Sequence, residues 1–201
     1  MSSFDEKARG WDTPERHARA EAVAQAIRAS VPLAPSMRAI DLGAGTGLLG
    51  FALAADVGEM VLAEPSEGMR EVIHEKLASG APAHVRAIAF DVPADPPPGD
   101  PFDLAVSMLV LHHLPDTAAA LRAIRRLLRP GGRIALADLD AEDGSFHGPD
   151  AEGVHHHGFD RAELIRLAGE AGFVGVEART ATTIQDEDRR YPVFLLLGRR
   201  P

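Results

Sequence analysis

Apolar positions along this chain fall into two alternating rhythms. Short, nearly continuous apolar runs recur at Met37–Asp41, Glu59–Glu64, His84–Phe90, Phe102–Leu109 and Arg133–Leu139. Runs of that length and apolarity are strands buried on both faces. Between them, Leu48–Ala55, Ser66–Ser79 and Thr117–Leu128 carry apolar residues at helical spacing. Strands and helices in alternation predict a parallel sheet with helices on both faces. Ahead of the first strand, Ala18, Ala22, Val23 and Ile27 form a stripe behind Thr13 and Pro14, a capping residue and a favoured first helical residue. The tract 93–101 holds five prolines, too many for a helix or central strand, and predicts a stiff surface connection. The C-terminal part departs from the rhythm. Asp160–Ala171 predicts a helix with Asp160 as N-cap and Glu163 three residues on, stopped by Gly172. Val174–Thr180 and Val193–Gly198 then follow with only the polar stretch Gln185–Arg190 between them, which predicts an antiparallel pair.

Composition narrows the picture. A chain of 201 residues, 45% apolar and 25% charged, is long enough for one well-buried core. Its 21 basic and 30 acidic residues give a net charge of −9. Such a field repels phosphate backbones and anionic lipid, so nucleic acid and membranes are poor partners. Arg122, Arg125, Arg126 and Arg129 lie at helical spacing and read as a solvated face. The chain has no cysteine, which excludes disulfides, Cys-ligated zinc and thiolate chemistry. The N-terminal residues lack a basic-then-apolar pattern, and no apolar run nears the ~20 residues of a membrane span. A cytoplasmic protein is the expectation.

The chemistry concentrates at Ala39-Ile40-Asp41-Leu42-Gly43-Ala44-Gly45-Thr46-Gly47. A strand, a glycine-rich turn and a helix start bring free N–H groups close to a polar cofactor. The run Gly45-Thr46-Gly47-Leu48-Leu49-Gly50 also spells the dinucleotide fingerprint, a weak signal alone. Glu64, at the end of the second strand, suits ribose hydroxyls in either case. Three features favour S-adenosylmethionine over a nicotinamide dinucleotide. Asp41 before the glycines suits an ammonium and disfavours a pyrophosphate. Asp91 ends the third strand, placed to accept from an adenine amino group. The terminal antiparallel pair does not belong to a six-stranded parallel dinucleotide plan.

In these residues the sequence resembles the class I S-adenosylmethionine-dependent methyltransferases. The matching blocks are Ile40–Gly47, Ala63–Ser66 with Met69, Phe90–Pro93, Phe102–Ser107, Leu111–Asp116 and Leu128–Arg133, over about residues 38 to 140. Phe4-Asp5 and Trp11-Asp12 are similar to the lead segment of the group that includes ubiquinone and menaquinone C-methyltransferases. The resemblance implies an α/β, Rossmann-like, doubly wound and mostly parallel seven-stranded sheet with a C-terminal antiparallel strand pair. It would comprise residues 37–201, behind an N-terminal helical lid segment at 1–36. It further implies that Gly43, Ala44, Gly45 and Gly47 pack against the methionine part, with Asp41 fixing its amino group. Glu64 and Pro65 would meet the ribose, Met69 and Val92 would sandwich the adenine, and Asp91 would read its edge. Ser107, Met108, His113 and Trp11 would line the rest of the cofactor site.

The acceptor side is less defined. Residues 140–158 form a long connection, which favours a functional loop. It carries His147, His155, His156 and His157. Three readings compete for them. His155 and His157 would share one side if extended and, with His147, Asp138 or Asp140, make a metal shell. One of them, or His113, would act as a general base; His113, His147 and His157 are the candidates. Otherwise they are polar residues of a lid. No metal centre is assigned. Departures from known motifs exclude some acceptors: the Asn/Asp-Pro-Pro-aromatic motif of adenine-N6 and glutamine methyltransferases is replaced by Ser107-Met108-Leu109-Val110. The chain has no Cys for arsenite chemistry and no Asn for a catechol-type magnesium shell. A small organic acceptor methylated by direct displacement is the expected function. A nicotinamide-dependent oxidoreductase and a non-catalytic S-adenosylmethionine-binding module are the alternatives.

Overall fold

A computed structural model describes residues 3–148, 153–186 and 188–201. In chain order the elements are α1 (Ser3–Lys7), a 3₁₀ turn at Ala8–Gly10, α2 (Pro14–Arg28), β1 (Arg38–Leu42), α3 (Leu48–Leu53), β2 (Glu59–Ala63), α4 (Glu67–Ala78), β3 (Val85–Ile88) and β4 (Phe102–Met108). There follow α5 (Thr117–Leu127), β5 (Leu128–Leu139), α6 (Arg161–Glu170), β6 (Val174–Asp186) and β7 (Arg189–Arg199). All seven strands join one sheet in the order β3-β2-β1-β4-β5-β7-β6. The first five run parallel, and β7 inserts antiparallel between β5 and β6. The order reverses between β1 and β4, which opens a crevice beyond their carboxyl ends, where such sheets bind ligands.

Period-two alternation divides the sheet between two cores. Ala39, Leu62, Leu104, Ala135 and Leu195 pack on Val23, Ile27, Leu49, Leu53 and Ile73 of α2, α3 and α4. Their neighbours Ile40, Val61, Ala105, Ile134 and Leu196 pack on Leu121, Ile124, Leu164 and Ala168 of α5 and α6. A sheet buried on both faces explains why its strands read as apolar runs rather than alternating ones. The helix starts follow the expected capping chemistry. Thr13, Ser66, Asp116 and Asp160 each accept a hydrogen bond from the backbone N–H three residues on. The proline tract after β3 contains neither helix nor strand.

Two boundaries differ from expectation. Pro130-Gly131-Gly132 does not separate α5 from the next strand. β5 begins at Leu128 and runs through it, because Gly131 donates to the Arg200 carbonyl and Arg200 donates back to Gly132. The polar stretch Gln185–Arg190 is not a long loop either. It is the tip of the β6–β7 hairpin, paired out to Asp186 and Arg189. Gln185, Asp186, Arg189 and Arg190 face solvent while their backbones complete the ladder. In addition, the N-terminal segment contains α1 and a 3₁₀ turn before α2, where one helix was expected.

Candidate active site

The carboxyl ends of β1, β2 and β4 open into a cavity of about 1310 Å³. One ligand typically occupies ~300–1,000 Å³, so there is room for a cofactor and an acceptor together. Of the residues expected to hold the cofactor, Trp11, Asp41, Gly43, Ala44, Gly45, Glu64, Pro65, Met69, Asp91, Val92, Ser107, Met108 and His113 all line this cavity. Gly47 is not on its lining. With φ +87° it ends the turn, and a Cβ there would meet Phe51 at 2.7 Å. Turn geometry and packing both require glycine there. Gly50 likewise lies against Leu62 and the Asp41 carboxylate, where a Cβ would come within 2.1 Å of Leu62. Helix-to-strand packing thus accounts for two of the glycines in the dinucleotide-like fingerprint.

The glycine turn is shaped by its acids. Gly43 and Gly45 adopt φ of +62° and +57°, the left-handed region open to glycine. Gly45 donates to Glu64 Oε2 at 2.7 Å, and Ser66 donates to Oε1 at 2.8 Å. One buried carboxylate therefore ties the turn to the start of α4. Asp41 Oδ2 accepts from Gly50 N–H at 2.9 Å, inside the first turns of α3. The sequence reading gave these carboxylates wholly to the cofactor; they also hold the turn. Burial pushes the Asp41 carboxyl up to about 8, with the nearby Glu64 charge adding to the shift. Burial raises Glu64 as well, opposed by its two backbone donors. Two buried acids in one cavity wall suit a cationic ligand, which would favour their charged forms. Asp91 is exposed at the far wall, raised by partial burial and then by Asp95.

Beyond β4 the chain takes an unusual path. Leu109 has φ +59°, and its N–H donates to the Ala137 carbonyl at 2.8 Å. A bulky residue in that region stores strain that surrounding structure must hold, as at many functional sites. The path swings Val110 beneath Gly43, where its methyls lie 2.7 Å from a Cβ built on the glycine. Ser107 Oγ, also on the cavity wall, is buried with no hydrogen-bond partner among the described residues. A buried hydroxyl in that state is suited to a polar ligand.

Over the mouth lies the N-terminal segment. Asp5 accepts from Ser66 Oγ at 2.6 Å and from Gly68 N–H at 3.0 Å. Asp12 pairs with the Thr46 hydroxyl and with Lys76 Nζ at 2.6 Å. The Arg16 guanidinium stacks over Trp11, 3.9 Å from the ring centre. Arg16 and Arg19 bring positive charge to the cavity wall. Neither arginine stood out in the sequence, because a charge on a surface helix carries no signal until the helix is placed.

The histidines sort differently from their order in the chain. His157 is exposed and outside the cavity, 3.6 Å from Glu142 Oε1. Its carbonyl is tied to Glu142 N–H, which turns the loop so that His155 and His157 both face outward. Asp140, proposed as their partner, is instead held in two hydrogen bonds by Arg161. His147 and His113 do reach the cavity. They meet there a residue that sequence reasoning left aside, His112, buried with its Nδ1 2.7 Å from Asp138 Oδ1. The side chains of Asp138 and His112 are 0% and 1% exposed.

Comparison with known proteins decides the family. A family model described as a methyltransferase domain matches residues 15–178, more than half of the chain. The chain belongs to this methyltransferase family. It is 38% identical over 113 residues to a demethylmenaquinone methyltransferase of Clavibacter sepedonicus, covering 56% of this chain and 44% of that one. Identity to a ubiquinone biosynthesis O-methyltransferase of Methylococcus capsulatus is 32% over 153 residues, 70% of this chain and 61% of the relative. Among solved structures, phosphoethanolamine N-methyltransferase 2 of Haemonchus contortus, in complex with S-adenosyl-L-methionine, superposes with a TM-score of 0.74 at 17% identity. That match covers 100% of this chain and 60% of the other. This methyltransferase chain spans about half the length of the curated relatives it matches. Among the described residues no helix is long and apolar enough to cross a membrane.

Proposed function

We propose that this methyltransferase moves the methyl group of S-adenosylmethionine to a small organic acceptor. The observation that carries the reading is the wall formed by Asp41, Gly43, Gly45 and Glu64: two buried acids flanking a left-handed glycine turn. Such a wall offers negative charge to an ammonium and a sulfonium, and close backbone approach to the methionine part. Its two carboxylates repel a pyrophosphate, which speaks against a nicotinamide cofactor. Ser107 Oγ supplies a buried polar group on the same wall, and Met69 and Val92 give apolar surfaces for an adenine. Asp91 and the remaining lone pairs of Glu64 are the acceptors for its amino group and the ribose hydroxyls.

Methyl transfer needs the acceptor nucleophile in line with the methyl–sulfur bond; the methyl passes to the acceptor and the sulfonium leaves as a neutral thioether. Alignment inside a closed cavity supplies much of the acceleration. His113 and His147 stand where the acceptor would sit and are the candidate proton acceptors. Burial lowers His113, and burial followed by the neighbouring His112 lowers His147 to about 4, so both enter the reaction neutral at pH 7.

Incubation with methyl-labelled S-adenosylmethionine and a panel of quinols, phenols, amines and α-keto acids tests the reading. Labelled product from one class is expected. Cofactor binding without transfer to any of them would favour the non-catalytic module.

A further inference from the structure

Three histidines from two distant segments converge at the acceptor end of the cavity. His112 and His113 follow β4, and His147 comes from the loop after β5. One ring nitrogen from each lies within 4.8 Å of the others. The Nε2 atoms of His112 and His147 lie 2.9 Å apart. Three nitrogens on one metal at ~2.0–2.1 Å stand roughly 3.0–3.5 Å apart, so rotation of the imidazoles by about 1 Å at their tips would complete the set.

The surroundings hold two of the three imidazoles in the tautomer that ligation requires, while His147 would exchange its Nε2 hydrogen bond to His112 for the ion. His112 Nδ1 donates to the buried Asp138 carboxylate, leaving Nε2 as the lone-pair nitrogen. Asp138 is itself held, accepting from Leu139 N–H at 2.8 Å and His112 N–H at 3.3 Å. His113 Nδ1 donates to the Gly153 carbonyl at 2.7 Å, which likewise leaves Nε2 with the lone pair. A carboxylate or carbonyl behind each imidazole is the outer arrangement that metal-binding histidines carry.

We propose that His112, His113 and His147 bind one divalent first-row transition metal, with Asp138 as the positioning residue for His112. Imidazole ligands suit zinc, iron, nickel or copper better than magnesium or calcium. Three ligands on the protein side leave coordination positions facing the cavity, and in the metal-bound protein His113 and His147 are ligands in place of proton acceptors. An acceptor bearing a hydroxyl or carbonyl oxygen is the class that would occupy them, held and polarised by the ion. This rests on the methyltransferase reading for the identity of the site but not for the metal's presence.

The test is a titration of chelator-treated full-length protein with Co²⁺ alone, followed by visible ligand-field absorption and calorimetry. One Co²⁺ per chain is expected. His147→Ala, in a half-buried loop position, should weaken that binding by at least tenfold, as should His113→Ala. His157→Ala should leave it unchanged. Calorimetry with S-adenosylhomocysteine on His147→Ala separates the two readings, since the cofactor wall does not include the His147 side chain. No Co²⁺ binding by wild type, or binding lost with His157 rather than His147, overturns the metal site whatever S-adenosylhomocysteine does.

Discussion

Asp41 shows how a single residue serves fold and function together. One of its oxygens holds Gly50 N–H, and the same carboxyl faces a cavity built for a cation. Its folded pKa, about 8, lies above the ordinary 3.8. Between those values the folded state keeps a proton that the unfolded state releases, so this group lowers stability as pH rises through that window. Asp41→Asn keeps an acceptor for Gly50 and removes the titration. The variant should gain in melting temperature relative to wild type between pH 5 and 8, while its affinity for S-adenosylhomocysteine falls by about tenfold or more, the scale of a lost charge-assisted contact of ~1.5–3 kcal/mol. Binding by wild type at pH 7 should expel a proton, seen as a calorimetric enthalpy that varies with buffer ionisation enthalpy. A buffer-independent enthalpy would count against an Asp41 that ionises for its ligand. At this scale the sequence was partly legible. A glycine's need for positive φ shows in the pattern Gly-Ala-Gly-Thr-Gly, but whether it faces ligand or packs under Phe51, as Gly47 does, depends on where the following helix lies.

At the scale of elements, the strands were legible because burial on both faces removes polar residues from them. The ends of β5, β6 and β7 were not. Pro-Gly-Gly and a charged hairpin tip have the composition of loops, and only the partner strand makes them ladder. The histidine cluster was hidden for a related reason: His112 and His147 are 35 residues apart and meet only because β4 and β5 are neighbours in the sheet. The N-terminal strap is the element with the clearest functional consequence. It is pinned across the glycine turn by Asp12 and to the start of α4 by Asp5. Asp12→Ala should loosen it without unfolding the sheet, since the partners lost, the buried Thr46 hydroxyl and the half-buried Lys76, belong to neither of the two cores. The dissociation rate of S-adenosylhomocysteine should rise by about tenfold, within the range for one charge-assisted contact, with the melting temperature of the ligand-free protein little changed. An unchanged rate, measured by stopped-flow displacement, would remove the strap from the cofactor site.

For the whole molecule, the order β3-β2-β1-β4-β5-β7-β6 places every expected cofactor residue except Gly47 around one crevice. The family follows from the match over residues 15–178. A shared sheet does not by itself assign chemistry, and function has to be read from the site. Here the site speaks through a paired-acid wall, a buried Ser107 hydroxyl and a trio of histidines at the acceptor end. The measurement that bears most directly on this account is a calorimetric titration of the full chain with S-adenosylhomocysteine, with a nicotinamide dinucleotide in parallel. The account predicts saturable binding of the first at one per chain, weakened by about tenfold or more in Asp41→Asn, and none of the second. Absence of S-adenosylhomocysteine binding by wild type, or saturable dinucleotide binding that it cannot displace, would contradict it.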